Sequence, residues 1–423
     1  MRARWFIHWF LMLFGIVVAV SFGYGVYLMQ SRRPMREAQS AMLSGRAIEN
    51  LVRTAGLHLE SRHVEQALVV YRQALTFDPN SIDAQLGVAR GELLAGREAV
   101  AAREYERVLS LDHANLTALQ QLARIYSHKP DTWNLAESKY REFLNLKPDD
   151  AASRLELARV LVWERKPRET VEMFSPDNVR RQMTFEDQKE YAFALVQIGR
   201  SSEGETLLKK LTAERPKDSA VQLQLAAIYA ARRDWDKALP LYAELLRSTP
   251  DDARLNLTYG LGLLSIKKYR DALGPLQKAS KELPSSTEAR LGYARALKGR
   301  GDLKKAAKEF GRAVAKEKDP GIVREYADLL MERHDYGGAE KSYKEALRLG
   351  LHDKRLLMGL AGSLRANGKQ REALPYLEDV YAQEPSDRVA FELATTLQKV
   401  GRDKEALALL RKIENPPKSR SGN

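Results

Sequence analysis

Between Ala192 and Pro284 the apolar positions fall in two alternating helical registers separated by short polar loops. Leu225, Ala226 and Tyr229 share one face of a first predicted helix, and Ala238, Tyr242 and Leu245 share one face of a second, with Pro250 closing the pair. The following copy reads Tyr259-Gly260, Leu263, Ala272, Leu276, Ala279, Pro284, and Pro216, Pro250 and Pro284 recur every 34 residues. Each unit is predicted to be a helical hairpin, stopped by a proline that cannot continue a helix. A period of this length is the mark of a solenoid.

Two small positions carry the period through the chain. The first runs Ala55, Ala89, Ala123, Ala158, Ala192, Ala226, Gly260, Ala294, Ala327, Ala361 and Ala394, in steps of 33 to 35. The second runs Ala67, Ala101, Ala136, Thr170, Gly204, Ala238, Ala272, Ala306, Ala339, Ala373 and Ala406. Small side chains recur where two helices cross because larger ones would hold the backbones apart. The series predict eleven hairpins.

Several copies depart from the pattern. The second has His113 at its turn, and the third carries an extra residue around His128-Lys129-Pro130-Asp131. In the fourth, Ser175-Pro176-Asp177 interrupts the second helix and a basic, polar stretch runs from Asn178 to Thr184, read as a change of curvature, an exposed insertion or a docking point. The eighth turns through Lys318-Asp319-Pro320, the ninth through Gly350-Leu351-His352, and Pro416-Pro417 stops the eleventh.

From residue 48 to residue 411 this pattern resembles the tetratricopeptide repeat family. The resemblance implies an all-α, right-handed solenoid of about eleven hairpins that serves as a protein-binding scaffold. It also implies a concave groove lined by the first helices. The residue after each first small position then faces that groove: Gly56, Arg90, Arg124, Arg159, Phe193, Ala227, Leu261, Arg295, Asp328, Gly362 and Thr395. Arg90, Arg124 and Arg159 would form a positive ladder suited to carboxylates on an acidic peptide or an anionic polymer, continued by the apolar Phe193, Ala227 and Leu261, with Arg295 beyond. The competing reading is that these arginines pair with acids of neighbouring hairpins, such as Glu92 or Glu156. The lysine and asparagine clamp by which some family members hold a chaperone's terminal carboxylate has no match, since Val52 and Gly56, or Leu86 and Arg90, stand at its positions.

Charge and hydropathy extend the picture at the amino terminus. Trp5 to Met29 contains no Asp, Glu, Lys or Arg, and its aromatic residues cluster at the ends: Trp5 and Trp9, Tyr24 and Tyr27. Such a run suffices to cross a bilayer, so residues 1–30 are read as a transmembrane anchor, with 5–29 in the membrane. A cleaved signal peptide with Ala19-Val20-Ser21 as its site is the competing reading, opposed by the apolar run continuing through Phe22, Val26 and Leu28. Arg2 and Arg4 nearly balance Arg32, Arg33 and Arg36, so charge does not set the orientation; a short leading segment favours a cytoplasmic amino terminus and exported repeats. Residues 31–47 are expected to be a basic linker helix, interrupted at Pro34 and Gly45, and 412–423 a disordered tail.

Lys and Arg exceed Asp and Glu by 69 to 56, a formal +13, but the excess is partly confined to the first 46 residues and the tail, so no nucleic acid is expected as partner. The chain has no cysteine, no HExxH, no phosphate-binding loop and no nucleophile elbow. The seven histidines are scattered, and His58 and His63 are expected to point to different faces of their hairpin. Asp149-Asp150 and Asp251-Asp252 read as helix starts, not as catalytic pairs. No cofactor, metal or enzymatic activity is expected. The sequence therefore points to a non-catalytic, membrane-anchored scaffold for protein partners, at a bacterial inner membrane with the repeats in the periplasm, within a secretion, polysaccharide-export or assembly complex. The alternative is direct binding of an anionic polysaccharide along the groove.

Overall fold

The computed structural model describes residues 45–412. The anchor at 5–29, most of the linker, and the tail beyond residue 412 lie outside the described residues. Within them the chain is all-α, and the helices pair into the hairpins that the small-residue series predict. The chain divides into two compact units, one ending at Leu207 and one beginning at Leu208.

In the first unit the hairpins are α1 (45–60) with α2 (Val64–Phe77), α3 (Ile82–Leu94) with α4 (Glu98–Leu111), and α5 (Leu116–Ser127) with α6 (Trp133–Leu146). The fourth is α7 (Ala151–Trp163) with α8 (Pro167–Phe174) and the single turn α9 (Asp177–Arg180), and the fifth pairs α10 (Phe185–Gln197) with α11 (Ser201–Glu214), in which the first unit ends. Gly45, read from sequence as a break, is already helical.

The second unit continues with α12 (Ser219–Ala231) and α13 (Trp235–Ser248), α14 (Ala253–Ser265) and α15 (Tyr269–Glu282), and α16 (Thr287–Gly299) and α17 (Leu303–Lys316). Then come α18 (Pro320–Glu332) and α19 (Tyr336–Arg348), α20 (Lys354–Ala366) and α21 (Gln370–Gln383), and α22 (Asp387–Lys399) and α23 (Asp403–Leu410).

Every member of both small series is buried. At Gly260 an added Cβ would sit 2.5 Å from Leu276 Cγ, so the large residue one turn along the second helix occupies the space the small one leaves.

The first helices begin on polar caps. Ser81, Asn115, Asp150, Asp218, Asp252 and Ser286 each accept a hydrogen bond from the backbone N–H three residues on, which satisfies an amide the helix cannot and sets the entry angle. Asp150 and Asp252 are thus helix caps, as their place after the turn predicts.

The loop inside each hairpin has a second recurring device. Its seventh residue after the first small position is left-handed in ten of the hairpins: Gly96, Gly199, Gly301, Gly368 and Gly401, but also Arg62, Arg165, Arg233, Lys267 and His334. Glycine enters this region freely, whereas the other five strain their own backbone to make the same turn. The third hairpin uses a 3₁₀ turn, Pro130–Thr132, in place of this residue.

Two expectations change in the structure. His58 and His63 do not diverge: the tight turn through Arg62 brings their rings edge to face, with centroids 6.2 Å apart. The interruption in hairpin four is not a plain exposed insertion either. Helix α8 stops at the fully buried Phe174, and α9 returns Val179 to the core it shares with Ala158 and Tyr191, while Asn178 Nδ2 donates to the Asp149 carbonyl.

Candidate protein-binding face

The residues after the first small positions are all at least partly exposed while their alanine or glycine neighbours are buried, so they form a surface line on the first helices. In the first unit this line carries Arg90 on α3, Arg124 on α5, Arg159 on α7 and Phe193 on α10. Helices α5, α7 and α10 pack in succession, and Gln120 Nε2 donates to Ser153 Oγ at 3.1 Å across the first of these contacts.

The arginines are not equivalent. Arg159 makes a two-pronged contact with Asp187, Nε to Oδ1 at 2.8 Å and Nη2 to Oδ2 at 2.9 Å, and Nη1 reaches Glu156 at 2.9 Å. Asp187 is only 4% exposed and also accepts from the backbone N–H and hydroxyl of Thr184, completing a capping box at the start of α10. Burial works to raise the Asp187 carboxyl, but the Arg159 and Thr184 hydrogen bonds outweigh it and hold it below the usual carboxylate range. The same bond to Asp187 raises the Arg159 guanidinium. Among the described residues, Arg90 and Arg124 have no ion-pair partner; Glu92, the acid expected near Arg90, is taken by Arg72 and Arg97.

The free arginines have neighbours the sequence reading missed. Tyr71, Tyr105 and Tyr140 lie four residues after the second small position and are buried beneath the line. Burial pushes each phenol up, that of Tyr105 to about 12, and the positive charge of Arg90 opposes this at Tyr71 and Tyr105, as Arg124 and Arg159 do at Tyr140. The steps of 34 and 35 between these tyrosines were the available signal.

Beyond Arg159 the line opens into two cavities between α7 and α10. One encloses about 390 Å³ beside Arg159, Val162, Trp163 and Glu186; the other encloses about 330 Å³ beside Val162, Lys166, Phe193 and Gln197. Glu190 lines both. Trp163 is 46% exposed and stacks on Trp133, ring centroids 5.5 Å apart, while Trp133 Nε1 is fixed to the Ser127 carbonyl.

In the second unit, Arg295 is held by Glu325, with Nη2 at 2.7 Å, which raises its guanidinium. Leu261 is half-buried and leans on α16, where an added Cβ at Gly292 would lie 3.1 Å from its Cδ2. Both are more engaged within the protein than their place on the line suggests. No cluster of metal-ligating residues occurs among the described residues, and no described helix is long and apolar enough to cross a membrane.

Stacked helical hairpins with paired small residues at every crossing define a helical-repeat protein. Two tetratricopeptide-repeat models match residues 195–259, 263–329 and 326–388, and these matches place that part of the chain in the tetratricopeptide-repeat family, a non-catalytic protein-interaction module. The chain is 27% identical over 187 residues to interferon-induced protein with tetratricopeptide repeats 3 of Mus musculus, covering 43% of this chain and 40% of that one. It is 34% identical over 115 residues to cellulose synthase operon protein C of Pseudomonas fluorescens (strain SBW25), covering 26% of this chain and 9% of that one. It therefore spans less than half the length of either relative. Among solved structures it is similar to MamA RS-1 ArsTM double mutant, with a TM-score of 0.37 and 19% identity over 39% of this chain and 93% of that one.

Proposed function

We propose that this chain is a membrane-anchored scaffold that holds protein partners on the first-helix face of its first unit. The observation that carries the reading is the pair Arg90 and Arg124, exposed at equivalent places and without an ion-pair partner among the described residues. Two guanidinium forks at equivalent places on successive first helices suit an extended segment carrying carboxylates. The apolar run at 5–29 would tether the repeats to a bacterial inner membrane, with the repeats in the periplasm. Similarity to a cellulose synthase operon protein supports an envelope complex for secretion, polysaccharide export or assembly. The exposed guanidinium groups of Arg90 and Arg124 equally suit, as a second reading, the carboxylates of an anionic polysaccharide.

The test is made on the full chain in its native membrane. The protein is expected to resist alkaline extraction at its uncleaved mass, and a photo-crosslinker placed at position 124 is expected to capture a protein. Arg124→Glu should weaken that association most at low salt, because screening already removes much of the attraction at high salt. A soluble, shortened product would refute the anchor; capture of glycan alone would favour the second reading; and unchanged association of a folded Arg124→Glu protein at low salt would refute the arginine site.

A further inference from the structure

The first-helix line of the first unit changes character at hairpin four, and the cause is a choice of partners. In the second unit, Arg295 after one small position is held by Glu325, which stands two residues before the next small position. The same two places in hairpins four and five are Arg159 and Glu190. Here the arginine has turned to the buried Asp187, and Glu190 is left over. Among the described residues Glu190 has no hydrogen-bond or ion-pair partner.

Of the basic side chains nearby, Arg165 lines the second cavity from an exposed loop position and reaches no carboxylate among the described residues, while the others are committed. Lys166 is bound to Glu137 at 2.5 Å and to Glu164 at 2.8 Å, and Lys189 pairs with Glu186. Partial burial pushes the Glu190 carboxyl up, with the Lys189 charge opposing. An unpaired, half-buried carboxylate flanked by Trp163 in one cavity and Phe193 in the other is a receptor for a cation on an apolar stem: the ring faces attract the charge and cover the methylenes, and the carboxylate accepts its hydrogen bonds.

We infer that the trough between α7 and α10 receives a lysine or arginine side chain of the bound segment, seated on Glu190 between Trp163 and Phe193. Resting on the scaffold reading above, this makes the face bipolar: the segment is acidic where it crosses Arg90 and Arg124, basic where it crosses hairpins four and five, and so bound in one direction only.

The test uses the immobilised full chain and a displayed library of random twelve-residue peptides as probe. Enriched peptides are expected to carry a lysine or arginine beside apolar residues, with acids toward one end. Affinity of the best peptide should fall about tenfold or more on Glu190→Gln, the loss expected of a charge-assisted contact. Replacing its basic residue by norleucine should cost the wild-type protein as much, which keeps the test valid whatever the variant does to folding. A basic residue that persists when Glu190 is changed, or enriched peptides with none, would sink the inference while leaving the arginine site intact. Loss of the acidic preference alone, with the basic one retained, would sink the arginine site and leave this one standing. A library with no enrichment overturns both.

Discussion

Replacing Asp187 by alanine removes one side chain with two duties. It accepts both prongs of Arg159, and it closes the capping box on Thr184. Stranding one member of a fully buried pair costs about 3–5 kcal/mol, but Arg159 is partly exposed and keeps Glu156, so about 1–2 kcal/mol is the reasonable share here. Loss of the cap acceptor adds about 1 kcal/mol. The expected total of roughly 2–3 kcal/mol should appear as faster hydrogen exchange, on the order of thirtyfold or more, in the amides of hairpins four and five, because repeat stability is a sum of neighbour contributions. Asp187→Asn should recover much of the cap and little of the pair. In a double-mutant cycle, Arg159→Met should cost less in the Asp187→Ala background than in the wild type. Unchanged protection of α10, or an Arg159→Met cost that is the same in both backgrounds, would refute the assignment of this pair as the link between the two hairpins.

Lys267→Gly should stabilise the second unit by about 0.5–1 kcal/mol in urea unfolding, since glycine relieves the left-handed strain but carries more unfolded-chain entropy. Gly87→Ala places a Cβ 2.2 Å from the Tyr71 ring, and should cost on the order of 1–3 kcal/mol, read as lowered protection of hairpins one and two. Glu340 is buried, which alone would raise its carboxyl, yet Lys344, Lys369 and Asn367 bring it down to about 2 from an ordinary 4.5. Its contribution is therefore complete above that ordinary value and lost as pH falls from there toward 2, so Glu340→Gln should flatten acid unfolding of the second unit in that window.

The hairpins were legible because the crossing requirement is local: the small residue and the large one that fills the gap beside it, such as Gly260 and Leu276, lie on the two helices of one hairpin and so in one stretch of sequence. The left-handed loop position was not read, since glycine occupies only some of its copies and Arg165 or Lys267 gives no sign of the conformation it adopts. The arginine line was found as a line, but its chemistry was not. Whether an arginine is free depends on a carboxylate 28 residues away, as at Asp187, or 30 away, as at Glu325. Distances of that kind are set by how hairpins stack, and composition at one position does not carry them. The anchor at 5–29 rests on hydropathy alone.

Asp187 belongs to hairpin five, yet what it changes is the face of hairpin four. At the matching place, the third residue of the next first helix, Ala118 stands after Arg90 and Ser153 after Arg124, and neither can hold a guanidinium as a carboxylate does. The modules of this protein are thus not independent cassettes. Transplanting hairpin five behind hairpin two would carry its silencing carboxylate to Arg90, and deleting it would leave Arg159 with only Glu156. Insertion, loss or duplication of a single unit therefore rewrites the recognition surface of the unit before it, and the natural parcel for grafting or recombination is a hairpin together with the first turn that follows.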